Sequence, residues 1–155
     1  MSVTTRLGEL GVDLPAVVPP VAAYVPAKVH GDLVYTAGQL PFVSGALPAT
    51  GKVGDGDGLV AASDAQGYAR QCALNAIAAA AAAVGGADRL TGVLKLTGFV
   101  ASVPEFTGQP GVINGASEFL GEVFGEAGTH ARSAVGVPVL PLDSPVEVEV
   151  VFTFA

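Results

Sequence analysis

An arginine and two glutamates lie in the most strand-like part of a sequence that carries few charges. Arg132 is near the start of the segment HARSAVGVPVLPLDSPVEVEVVFTFA, residues 130–155, and Glu147 and Glu149 alternate with valine near its end. A guanidinium in so apolar a segment needs an anionic partner, because burying an unpaired charge is costly. That partner is either a ligand or a glutamate of the chain itself. The sequence therefore indicates either an anion-binding site or an ion pair that joins two strands.

The final strand has two different faces, because side chains point to alternate sides of a strand. One face carries Val146, Val148, Val150, Phe152 and Phe154. We expect this apolar face to meet helices. The other face carries Glu147, Glu149, Val151 and Thr153. A face that mixes acids with valine fits a subunit interface that contains a polar site better than it fits a core or a solvent surface.

Other residues suited to catalysis or metal binding are few. His30 and His130 are the two histidines and neither belongs to an HExxH motif, while the single cysteine, Cys72, excludes a CxxC pair and an internal disulfide. His130 shares strand parity with Arg132, so it either lines the same cleft or is a partly exposed structural histidine. Spacing does not exclude a Ser-His-Asp arrangement, but no GxSxG motif supports one.

Local patterns predict five strands and two long helices after a short N-terminal helix. The strands are expected at residues 24–30, 33–40, 89–102, 131–138 and 146–154, and the helices at 61–84 and 109–124. Gly31 and Asp32 form the hairpin turn between the first two strands. The order ββαβαββ predicts an α+β fold, a two-layer sandwich in which two helices cover one face of a single mixed β-sheet.

The length of 155 residues fits one domain. Residues 1–23 are predicted to form the short helix and an extended, proline-rich strap, and residues 24–155 the main domain. Half of the residues are hydrophobic and only 14% are charged, which leaves apolar surface that an oligomer would cover. We therefore expect a homo-oligomer.

The charge balance argues against nucleic acid as a partner. The net charge is -7, and the seven basic residues are scattered rather than clustered, whereas phosphate binding needs a basic patch. No apolar run is long enough to span a membrane, and no signal peptide pattern opens the chain. Together with the single cysteine, these features predict a cytoplasmic protein.

Three segments resemble the RidA/YjgF reactive intermediate deaminase family. ARSAVGVPVLPLDSPVEVEVVF resembles its C-terminal signature, in which an arginine leads through an LP-x-D turn to an E-x-E strand. AAYVPAKVHGDLVYTAGQLP resembles its N-terminal hairpin with the TxGQ-P element, and VINGASEFLGEVF resembles its second helix. The similarity spans residues 24–154, which is nearly the whole domain.

The resemblance implies a chorismate mutase-like fold and a homotrimer with ligand clefts between subunits. It also implies a hydrolase similar to 2-iminobutanoate/2-iminopropanoate deaminase, which converts reactive enamines and 2-imino acids to 2-keto acids and ammonia. No metal or cofactor is needed, because an iminium carbon is already electrophilic and the protein has only to place a water molecule beside it.

The resemblance also implies roles for six positions. Arg132 would bind the substrate carboxylate, and Glu147 would orient or activate the attacking water as a general base. The remaining four complete the binding site: the backbones of Gly38 and Ala134 would hold the imine nitrogen or the water, while the side chains of Tyr24 and Asn114 would shape the pocket.

Departures from the family pattern suggest a divergent subgroup. Ala37 and Ala134 stand where many members carry serine and cysteine, and the loop between Phe106 and Asn114 is longer than in the best-known members. Two alternative functions stay open. One is a sensor that binds a small carboxylate or keto acid in the same clefts without turnover. The other is an endoribonuclease, against which the acidic balance argues.

Overall fold

A five-stranded mixed β-sheet forms the framework of the computed structural model, which describes residues 1–17, 20 and 23–155. Its strands are β1 (Ala27–His30), β2 (Leu33–Thr36), β3 (Leu90–Ala101), β4 (Ala131–Val137) and β5 (Val146–Phe154). Its helices are α1 (Val3–Glu9), α2 (Ala62–Val84) and α3 (Gln109–Phe124), with 3-10 turns at Ala87–Arg89, Gly125–Gly128 and Pro141–Asp143. The α+β sandwich and the order ββαβαββ are thus confirmed.

The strand order across the sheet is β1-β2-β5-β3-β4. The pair β3 and β4 is parallel and every other pair is antiparallel, which makes the sheet mixed. The parallel pair is possible because α3 crosses between its two strands. As a result β5, the last strand of the chain, lies inside the sheet, and β4 lies at its edge.

The apolar face of β5 meets the helices as predicted. Val146, Val148, Val150 and Phe152 are buried, and Phe154 is half-buried against the same core. Alanines of α2 line this core and let the helix approach the sheet closely, and Gly85 ends the helix in a left-handed conformation with a φ of 87°. The two helices also approach each other at Gly115, where a Cβ would collide with the backbone of Gln66.

The hairpin is shorter than the sequence patterns predict. The backbone N–H of Ala37 still bonds to the carbonyl of Pro26, but the ladder between β1 and β2 ends at Thr36. The chain then turns away and meets β5 through the single pair Gln39 and Val148. This departure opens the space in which the pocket described below lies.

The predicted N-terminal helix is confirmed as α1, capped by the hydroxyl of Ser2. It is attached to α3 by a 2.6 Å hydrogen bond from Nε of Arg6 to the carbonyl of Glu122. The predicted strap falls partly on residues 18, 19, 21 and 22, which lie outside the described residues. Across the residues the structure covers, no helix has the length and apolar character of a transmembrane segment.

The face of the sheet opposite the helices is partly exposed. Tyr35 and Val135 on this face are 45% and 43% exposed, and Phe99 and Val151 are half-buried. Their registers place them beside Glu147 and Glu149. The subunit interface expected from the sequence would lie on this open face, and it stays a prediction.

Candidate functional site

A pocket of about 440 Å³ lies where the chain turns away after β2. Three of the predicted site residues line it: Tyr24, Gly38 and Glu147. Most of its other walls are apolar: Pro15, Ala16, Val17, Pro20, Pro26, Leu40, Phe42, Ala78, Pro141 and Leu142. We call this space the glutamate pocket. It combines one carboxylate with an apolar enclosure, which is a common composition for a small-molecule site.

Glu147 packs directly against the backbone of Gly38. A Cβ built on Gly38 would collide with Oε1 of Glu147 and would lie 2.7 Å from its Cδ. The carboxylate therefore occupies the space that a side chain at residue 38 would fill. Burial raises the pKa of Glu147, and the negative charge of Glu149 raises it further. A carboxylate with a raised pKa is a better proton acceptor than an ordinary glutamate.

Arg132 lines a second, shallower cleft of about 320 Å³ between β4 and α3. Asn114 and Ser117 of α3 form one wall, and His130 and Thr129 lie at the entry to β4. We call this space the arginine cleft. Ala134 follows Arg132 by two residues on the same face of β4 and is half-buried beside Gly98.

In the described part of the chain, the guanidinium of Arg132 donates its hydrogen bonds to uncharged groups. NH1 donates to Oγ of Ser117 at 3.2 Å, and NH2 donates to the carbonyl of Pro110 at 3.2 Å. Within residues 1–17, 20 and 23–155, the ion pairs are Arg6 with Glu9 and Arg70 with Glu122. The alternative of an ion pair between Arg132 and Glu147 or Glu149 is therefore absent from this part of the chain.

The two predicted catalytic side chains lie on opposite faces of the sheet. Arg132 is paired with Leu96, which is fully buried beneath the helices, so Arg132 is on the helix face. Glu147 alternates with the buried Val146 and Val148, so it leaves β5 on the open face. Strand β3 also separates them. One chain thus holds the predicted site residues as two groups, Tyr24, Gly38 and Glu147 in one and Asn114, Ala134 and Arg132 in the other.

Sequence patterns did not single out Ser117, although the structure places it at the centre of the arginine cleft. Its Oγ is 2.9 Å from Nε2 of His130 and 3.2 Å from NH1 of Arg132. The available signal was its spacing, because residues three apart on a helix share a face and Ser117 follows Asn114 by three.

A family model matches nearly the whole chain. The family described as "YjgF/chorismate mutase-like, putative endoribonuclease" matches residues 4–155. The chain belongs to the YjgF family. The match covers both the glutamate pocket and the arginine cleft.

Individual proteins similar to this chain align with it over nearly its full length. Protein TCP17 of Trypanosoma cruzi is 42% identical over 150 residues, covering 95% of this chain and 91% of that protein. The crystal structure of Atu1372 from Agrobacterium tumefaciens, a protein of unknown function, is 42% identical with a TM-score of 0.88, covering 99% and 94% of the two chains. A "putative endoribonuclease" from Shewanella oneidensis is 32% identical with a TM-score of 0.92, covering 99% and 100%.

Proposed function

We propose that this protein hydrolyses 2-imino acids, and the enamines in equilibrium with them, to 2-keto acids and ammonia. Water adds across the C=N bond, and the C–N bond of the resulting carbinolamine then breaks as its hydroxyl becomes the keto C=O. Ammonia leaves with both protons of the added water. The reaction needs a cation that holds the substrate carboxylate and a base that directs the water. Arg132 and Glu147 are the residues we assign to these roles.

The observation that carries this proposal is that no carboxylate among the described residues pairs with the guanidinium of Arg132. The guanidinium lies at a cleft and is half-buried, and its hydrogen-bond partners within residues 1–17, 20 and 23–155 are Ser117 and Pro110. A partly desolvated cation without an anionic partner has a strong electrostatic reason to bind one. A carboxylate fits the planar fork of a guanidinium in a bidentate manner, which lysine cannot reproduce.

We further propose that a second copy of the chain completes the site. Arg132 and Glu147 of one chain lie on opposite faces of the sheet, so they do not meet on one small substrate. The open face carries Tyr35, Phe99 and Val135, which gives copies an apolar surface to bury against each other. A homotrimer, the arrangement typical of the family, would bring the glutamate pocket of one subunit to the arginine cleft of the next.

The apolar walls of the glutamate pocket support substrates with apolar side chains. If the carboxylate binds Arg132 and the imine carbon lies near Glu147, the side chain enters the space between Phe42 and Leu142. Imino acids derived from leucine or methionine should therefore react with a lower KM than those derived from aspartate or lysine.

The test is to generate 2-imino acids with an amino-acid oxidase and follow their decay with and without the protein. Wild type should accelerate the decay, and Arg132→Ala should lower kcat/KM roughly 100-fold through loss of a charge-assisted contact. Lys52→Ala is a matched control that removes an exposed positive charge outside both spaces. Equal acceleration by wild type and Arg132→Ala would refute the assignment.

Two further measurements, ligand binding by calorimetry and RNA cleavage, distinguish the alternative functions. A sensor would bind 2-oxobutanoate in calorimetry, lose that binding in Arg132→Ala, and leave imines unchanged. Endoribonuclease activity is favoured by the description of the family and by the name of the Shewanella protein. The net charge of -7 opposes it, because RNA binding draws on clustered basic residues. RNA cleavage that persists through purification and disappears in Glu147→Gln would establish it.

A further inference from the structure

A chain of hydrogen bonds extends behind Arg132, away from the open side of the cleft. NH1 of Arg132 is 3.2 Å from Oγ of Ser117, and that oxygen is 2.9 Å from Nε2 of His130. The other ring nitrogen of His130, Nδ1, is 2.6 Å from the carbonyl oxygen of Gly128. The four groups come from α3, from the turn that follows it, and from the start of β4.

The polarity of this chain follows from what each group can donate. The carbonyl of Gly128 can only accept, so Nδ1 of His130 carries the proton. In the neutral imidazole Nε2 then accepts, and its donor is the hydroxyl of Ser117. With its proton directed at His130, the hydroxyl of Ser117 presents its lone pairs to Arg132. His130 thereby sets the orientation in which Ser117 accepts from the guanidinium.

These bonds have a consequence for carboxylate binding. An arginine side chain loses rotamer entropy when it is fixed, and this cost weakens binding if it falls at the moment of association. Ser117 holds NH1 and the carbonyl of Pro110 holds NH2, so the plane of the guanidinium is set before a ligand arrives. The remaining N–H groups are left for a bidentate contact.

We propose that Ser117 and His130 are positioning residues that pre-orient Arg132 for the substrate carboxylate, an inference that rests on the deaminase function proposed above. The carboxylate is bound equally in the ground state and the transition state, because the reaction changes the imine carbon and not the acid group. Loss of the pre-orientation should therefore raise KM and leave kcat unchanged.

Two matched pairs of variants test the proposal. Ser117→Ala removes the hydroxyl, whereas Ser117→Thr keeps it. His130→Asn can still donate to Gly128 but no longer reaches Ser117, whereas the amide oxygen of His130→Gln can accept from Ser117. We expect Ser117→Ala and His130→Asn to raise KM for imino acids roughly tenfold, in line with the loss of one hydrogen bond to a charged group. The KM of Ser117→Thr and of His130→Gln for imino acids should stay within about threefold of the wild-type value.

The outcomes separate this inference from the function on which it rests. Wild-type turnover with an unchanged KM in Ser117→Ala and His130→Asn would overturn the positioning role and leave the deaminase function standing. A fall in kcat at constant KM would overturn it too, because that result marks a role in the chemical step. If wild type binds 2-oxobutanoate without turning over imines, the Kd for 2-oxobutanoate replaces KM with the same expectation. If wild type neither hydrolyses imines nor binds 2-oxobutanoate, both the deaminase function and the positioning role are overturned. Should Ser117→Ala fail to fold, the comparison of His130→Asn with His130→Gln decides alone.

Discussion

Substituting Gly38 with alanine should lower the rate of imine hydrolysis on the order of 100-fold while leaving the protein folded. Gly38 is absent from the glycines with positive φ, so its backbone conformation is open to alanine. The three atoms nearest to the new methyl group would all belong to the side chain of Glu147. The far end of a glutamate is flexible and can move aside, whereas a neighbouring backbone could not. The substitution therefore acts on the position of one carboxylate and spares the core.

The size of the effect follows from the distances. Cδ of Glu147 is 2.7 Å from the position of the new Cβ, and ordinary contact begins at 3.4 Å. Cδ must retreat by about 0.7 Å and Oε1 by more, and a displacement of about 1 Å in a catalytic group costs on the order of 100-fold in rate, or about 2.7 kcal/mol. The altered rotamer of Glu147 costs about 1 kcal/mol, which a similar gain from the stiffer unfolded chain offsets.

The assay is imine hydrolysis by Gly38→Ala, read together with its unfolding temperature. Gly67→Ala is the matched control, because Gly67 is exposed on α2 with open space around it. That control should keep wild-type kcat and gain about 0.5–1 kcal/mol of stability as a helical glycine replaced by alanine. A folded Gly38→Ala protein with wild-type kcat would refute the placement of the catalytic carboxylate beside Gly38.

Three further predictions concern stability and reactivity. Glu147→Gln should abolish turnover yet stabilise the fold at pH 7 by less than about 1 kcal/mol, since the carboxylate is partly solvated. Burial raises the pKa of Glu147 above its unfolded value, so ionisation of this carboxyl opposes folding. The stability gained by Glu147→Gln should therefore vanish near pH 3, where the carboxyl is protonated in both the folded and the unfolded protein, and urea unfolding at the two pH values checks this. Gly115→Ala should destabilise the fold by about 2–3 kcal/mol, because the new Cβ would meet the backbone of Gln66. A variant whose thermal unfolding temperature is no lower than that of wild type would contradict this close contact between the helices. Burial, and secondarily the charge of Glu147, raises the pKa of the Cys72 thiol well above its usual range. A thiol reagent should therefore label Cys72 only after denaturation, and rapid labelling of the folded protein would show that the core is open.

Local sequence patterns determined the elements of this protein. The helix at residues 109–124 and the strand at 146–154 have the bounds that the patterns predict, because amphipathic spacing, Pro110 and Gly125 act over a few residues. The alternation along β5 also determined which of its side chains are buried. The hairpin was predicted too long, because the departure after Thr36 depends on how the chain meets β5 and not on its own residues.

Tertiary structure alone decided how the candidate site is divided. The sequence marks Arg132 and Glu147 as the charged residues of interest, but their placement on opposite faces depends on β3 lying between β4 and β5. The contact of Ser117 with His130 likewise depends on how α3 packs beside the start of β4. Strand order and helix packing are set by the burial of the whole core, so they combine segments far apart in the chain. A periodic pattern over about ten residues shows which side chains share one face of a strand or helix. Only the assembled sheet determines which other element that face packs against.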